Sequence, residues 1–110
     1  MNKAEWDSME TGWQKDMDVH RALFCPAELT ERFIVEELPA YTTDRNACVL
    51  VLDEIERQGH IAICLLYWLS VSGETDVSID GRAGTMAMWR LLHADPDTIC
   101  YCALRAVEEA

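Results

Sequence analysis

Apolar residues in this chain recur at helical spacing first and then in near-continuous runs. Over residues 11–24, Trp13, Met17, His20 and the Leu23/Phe24 pair return at helical intervals, and Pro26 cannot carry that helix further. Residues 27–38 repeat the pattern. Leu29, Phe33, Val35 and Leu38 share one stripe, while Glu28, Glu31, Arg32, Glu36 and Glu37 lie largely opposite. Pro39 ends this piece, since the residue before a proline avoids the helical region. Residues 1–10 carry few apolar anchors and are expected to fray.

A third helix begins after Thr42 or Thr43, either of which can cap it, with Asp44 in its first turn, and ends before Gly59. Ala47, Cys48, Val51, Leu52 and Ile55 share its core face. Val49 and Leu50 fall instead on the side of Asp53, Glu56 and Arg57, so something else is expected to cover that flank. Residues 60–72 then read as a strand. Ile61, Ile63, Leu65, Tyr67, Leu69 and Val71 alternate with Ala62, Cys64, Leu66, Trp68 and two serines, and both sets are apolar as far as Ser70. Turns around Gly73 and around Gly81 and Gly84 bound a short strand at 76–80, and 85–93 gives a third strand, with helix as the competing reading of 85–92. Asp95 and Pro96 open a last helix whose core face is Ile99, Cys102, Ala103, Ala106 and Val107, with Tyr101 and Leu104 straying to the far side.

The order predicts one α+β domain over 1–110: an N-terminal helical region at 11–38, then a core at 39–110. That core is a three-stranded antiparallel sheet with helices on both faces, because a sheet apolar on both faces needs a helical layer on each side.

Charge narrows the function more than composition does. Twenty acidic and nine basic residues give a formal net charge of −11. Such a chain is repelled by free nucleic acid and by anionic membranes, and it favours a basic partner. No secretory signal and no membrane span is legible. The five cysteines cannot all pair within one chain, and four of them sit in apolar stretches. A reducing cytoplasm is therefore the expected setting.

The segment Pro39-Ala40-Tyr41-Thr42-Thr43-Asp44, followed by an apolar helix ending Glu56-Arg57-Gln58-Gly59, resembles the phage ABA-sandwich domain family. The stretch from Ala94-Asp95-Pro96 through Val107 resembles that family's final helix. The resemblance covers 39–107 and implies a helix-sheet-helix sandwich and a phage or prophage origin. It implies no catalytic residues and no cofactor.

Reactive groups are present without a catalytic pattern. Cys100 and Cys102 form a C-x-C pair, but on a helix they point to opposite sides, so packing cysteines rather than zinc ligands are expected. Cys64 and His93 would need to meet to make an activated thiol. Glu36/Glu37, Asp53/Glu54/Glu56 and Glu108/Glu109 read as solvated charge rather than acid–base pairs. No enzyme, cofactor or metal is expected.

The expectation is an acidic binding protein acting in the host cytoplasm. It would inhibit a basic host protein or nucleic-acid-binding complex, such as a defence complex, by occupying a groove meant for phosphates. Anti-CRISPR proteins are one class that works this way. Glu28, Glu31, Glu36, Glu37, Asp53 and Glu56 are the candidate contacts. Trp6 and Trp13 either anchor the partner or pack back on the fold. The alternatives are a self-associating assembly protein or homodimer, using Val49, Leu50, Tyr101 and Leu104, and a small-molecule-binding domain.

Overall fold

The computed structural model describes residues 2–9, 12–24, 32, 36–72 and 90–109. Their regular elements are α1 (Lys3–Ser8), α2 (Trp13–Phe24), α3 (Arg45–Arg57), α4 (Ile61–Ser72) and α5 (Pro96–Glu109). The expected sheet sandwich is thereby corrected to a helical fold. The expected strand at 76–80 and most of that at 85–93 lie outside the described residues, and residues 90–92 are helical.

The decisive correction is α4. An apolar run can sit in a doubly buried strand or in a helix, and alternation alone does not separate them. Length and residue type do: twelve residues exceed an ordinary strand, and leucine and alanine outnumber the β-branched residues. The burial pattern has the helical period. Cys64 and Trp68 are buried four residues apart, while Ala62, Leu66 and Ser70 are exposed at the same interval.

Helix α3 follows its sequence signals closely. Asp44, rather than either threonine, caps it by accepting the Asn46 amide at 3.0 Å. At the other end Gly59 has φ +80°, the Gly59 amide bonds Glu56 O at 3.0 Å, and the His60 amide bonds Ile55 O at 3.0 Å. This double closure fits a left-handed glycine just past a helix end. The five residues assigned to its core face are all buried.

Helix α5 is the centre of the molecule, packing on α2, α3 and α4. Asp95 caps it through the Thr98 amide at 3.0 Å and the Thr98 hydroxyl at 2.8 Å. With helices on several sides, α5 buries Ile99 through Leu104 without a break. Tyr101 and Leu104, expected on an open flank, are therefore covered by the chain itself: Tyr101 packs against Trp6 at 6.1 Å between ring centroids.

Helix α2 is rotated from its expected facing. Lys15, Asp16, Val19 and Leu23 are buried, whereas Trp13 is 56% exposed. Val19 and Leu23, four apart, set the core stripe, and two charged residues follow them inward because each finds a partner there. Residues 3–8, expected to fray, form α1 and carry a fully buried Trp6. Of the helical piece expected at 27–38, Arg32 and Glu36 are helical and joined at 3.0 Å, Glu37 and Leu38 lie past the helix, and the other residues of that piece lie outside the described residues.

Candidate functional site

The ionisable groups divide into those the fold consumes and those it leaves outward. At the base of α5, the buried Lys15 ammonium donates to Asp97 Oδ1 at 2.9 Å and lies 4.7 Å from the Trp6 ring centroid. The Trp6 indole N–H donates to Asp97 Oδ2 at 3.1 Å. Asp97 thus holds one cation and one indole, and its place in the first turn of α5 suits its charge. Nearby, the buried Asp16 carboxylate accepts from the Thr42 amide at 2.9 Å and the Thr42 hydroxyl at 2.8 Å. The Tyr41-Thr42-Thr43-Asp44 segment accordingly does structural work, tying α2 to the start of α3.

His20, Phe24 and Tyr41 stack beside this lock, and His20 Nδ1 lies 2.8 Å from the Tyr41 hydroxyl. Burial pushes the His20 pKa below its ordinary value. Burial and the adjacent Asp16 charge push Tyr41 up to about 12. Both shifts favour the neutral form, so this pair is a packed contact at neutral pH rather than a source of charge.

Cys48, Cys64, Cys100 and Cys102 are buried free thiols. Burial pushes Cys64 and Cys102 up to about 12. Cys100, whose Sγ lies 3.3 Å from Tyr41 O, is raised by its hydrogen bond with Cys48 and by burial. Cys64 lies in the core and His93 at the surface. Among the described residues, no group of three or more His, Cys, Asp or Glu is placed to hold a metal ion. Cys64, Cys100 and Cys102 are expected to resist iodoacetamide in the native protein at pH 8 and to react fully in denaturant, because a thiol with a pKa near 12 is only about one ten-thousandth ionised there. Cys48 is shifted the other way, its hydrogen bond with Cys100 lowering its pKa. Mass spectrometry of the labelled chain checks this; rapid native labelling of Cys64 or Cys102 would contradict it.

The outward groups are mostly acids. Among the described residues, ion pairs join Lys3–Asp7, Arg32–Glu36, Arg57–Glu54 and Arg105–Glu108, beside the buried Lys15–Asp97 pair. Arg57 and Gln58 hold Glu54 down to about 2. Asp53 and Glu56, on the same helix, are exposed and pair with no described cation. They edge a groove of about 500 Å³ lined by Val49, Leu52, Ile61 and Leu92. Val49 is 47% exposed and Leu92 44%.

The candidate contacts therefore separate. Glu37, Asp53 and Glu56 are exposed, Glu36 is exposed and paired with Arg32, and Glu28 and Glu31 lie outside the described residues. Trp6 is core, and Trp13 is free to meet a partner. Val49 and Leu50 stand outward, whereas Tyr101 and Leu104 do not. Sequence reasoning missed Leu52, Ile61 and Leu92 as groove residues. The signal lay in Val49, Leu52, Asp53 and Glu56, which follow one another at i, i+3, i+4 and i+7 and so form a second stripe on α3. A second, shallower hollow of about 400 Å³ lies between α4 and the end of α5, lined by Ile63, Leu66, Tyr67, Ser70 and Glu109.

The chain matches no protein-family model, no curated protein and no solved structure. No helix among the described residues is long and apolar enough to cross a membrane.

Proposed function

We propose that this chain is a non-enzymatic acidic binding protein that occupies a basic surface on a partner protein. The observation that carries the reading is the placement of the charge: five described cations are paired with carboxylates within the fold, and Glu37, Asp53 and Glu56 stand exposed without a described cation, on a chain of net charge −11. In its finer form, the partner is a nucleic-acid-handling or defence complex in the cytoplasm, and the carboxylates compete with phosphates for its groove. Four buried free thiols suit such a reducing compartment. The reading rests on charge and surface, not on the phage-family resemblance, whose sandwich the helical core does not reproduce.

Competition binding tests it. A basic nucleic-acid-binding domain should bind the protein at low salt, release bound oligonucleotide as it does so, and lose affinity at least ~10-fold between low and high salt, as screened charge pairs require. Affinity independent of salt would defeat the proposal.

Self-association is the second reading, and α4 is what favours it. This helix has no charged residue, yet Ala62, Leu66, Ser70 and Val71 are exposed, Leu66 at 59%. An uncharged face lets two copies of an acidic chain meet with least repulsion. Light scattering that gives a dimer disrupted by Leu66→Glu would support it, and a strict monomer would remove it.

A further inference from the structure

The groove on the flank of α3 has a floor and an edge of opposite character. Leu52 and Ile61 form its inner wall, Val49 and Leu92 stand half exposed at its lips, and Asp53 and Glu56 border it along one helix. The stripe at i, i+3, i+4 and i+7 through Val49, Leu52, Asp53 and Glu56 is apolar in its first half and acidic in its second, which suits the edge of a groove rather than a core. On α3 the core already has its own stripe through Cys48, Val51 and Ile55, so the second stripe faces outward.

Charge selects the occupant. An apolar partner lying over the groove would bring the carboxylates of Asp53 and Glu56 into lower dielectric, which is unfavourable unless cations come with it. Glu54 has its cation in Arg57; Asp53 and Glu56 have none among the described residues. A second copy would add another −11 of charge to the same place. The chain's own stretch 73–89 carries three acids and one arginine, so it supplies little to neutralise them.

We propose that this groove is the docking site for a basic amphipathic helix of a partner protein, with aliphatic or aromatic side chains seated between Val49 and Leu92 and lysine or arginine on either side meeting Asp53 and Glu56. This rests on the acidic-binding reading above and gives it a location and a partner chemistry. The mode is an amphipathic helix laid in a groove, with anchors one turn apart.

The probe is a pair of fluorescein-labelled peptides made only of lysine and leucine in equal composition. One places leucine at i, i+3, i+4 and i+7; the other scrambles it. Fluorescence anisotropy with the full chain should show the patterned peptide binding at least ~10-fold tighter than the scrambled one. The Val49→Ser/Leu92→Ser double variant should remove that preference, and Leu66→Ser should keep it. Asp53→Asn/Glu56→Gln should weaken binding at low salt and have little effect at high salt. Circular dichroism of each variant confirms an intact fold, which half-exposed positions should preserve. Equal, salt-sensitive binding of both peptides overturns the groove and leaves the acidic reading standing. No binding of either overturns both. A dimer that Val49→Ser/Leu92→Ser dissociates overturns the peptide occupant in favour of a second copy.

Discussion

Trp6→Ala is expected to lower the unfolding free energy by about 4 kcal/mol, the cost of deleting a large ring from a site that cannot collapse around the gap. Trp6 has no solvent exposure and joins three helices at once. Its ring lies against Tyr101 of α5 and beneath the Lys15 ammonium of α2, and its N–H holds Asp97. Helix α1 is six residues long and too short to be stable alone, so it should leave with the ring. Trp6→Phe keeps most of the buried area and removes only the hydrogen bond, and should cost about 1–2 kcal/mol. Trp13→Ala, at an exposed position of the same residue type, should cost less than about 0.5 kcal/mol. Urea unfolding followed by far-ultraviolet circular dichroism gives all three numbers. Equal midpoints for the Trp6→Ala and Trp13→Ala proteins would show that α1 is not part of the cooperative fold.

The contrast between the tryptophans shows what periodicity conveys and what it does not. Helix α3 was legible because each signal is local: a run of capping residue types at 42–44, a stripe of apolar residues, a glycine past the end; only which of the three caps it, Asp44 rather than a threonine, was misplaced. Helix α5 was legible at its cap for the same reason. The Trp6–Asp97 bond spans 91 positions and the Lys15–Asp97 pair 82, and no spacing rule reaches that far. Without those partners, Lys15 and Asp16 look like surface charges and Trp13 looks like core, which turns α2 about its axis. Helix α4 failed for another reason: a run apolar on every side satisfies both a period of two and a period of 3.6, and only its length and leucine content separate them.

The candidate surface was half legible. Val49/Leu50 and Tyr101/Leu104 gave the same signal, apolar residues outside the core stripe, with opposite outcomes. Their neighbours tell them apart. Acids at 53 and 56 share the flank of Val49, which keeps that flank in water, whereas α5 has no charged residue from Thr98 to Leu104 and so can be surrounded. What the pattern could not supply was Leu92, brought to the groove from a different part of the chain.

Asp16→Ala should cost about 3 kcal/mol, because it removes a buried charged acceptor and leaves the Thr42 amide and hydroxyl without one. Asp16→Asn keeps an acceptor oxygen and a similar volume, and should cost about 1 kcal/mol. Thr42→Val removes the hydroxyl and spares the amide. Its effect should be far smaller in the Asp16→Ala background than in the parent chain, as expected of groups in direct contact. The same substitution has an alkaline signature. Burial first, and the Asp16 charge second, raise Tyr41 to about 12. The folded value lies above the unfolded one, so the neutral phenol's contribution to stability is complete below about pH 10 and is lost as pH rises through about 12. Asp16→Asn removes the charge while leaving the burial, so Tyr41 should ionise at lower pH and the alkaline loss of stability should shrink. Absorbance titration of the phenolate and urea midpoints between pH 8 and 11 read the two effects separately. An unchanged Tyr41 titration in Asp16→Asn would mean that the Asp16 carboxylate does not face the ring as the Thr42 bonds place it.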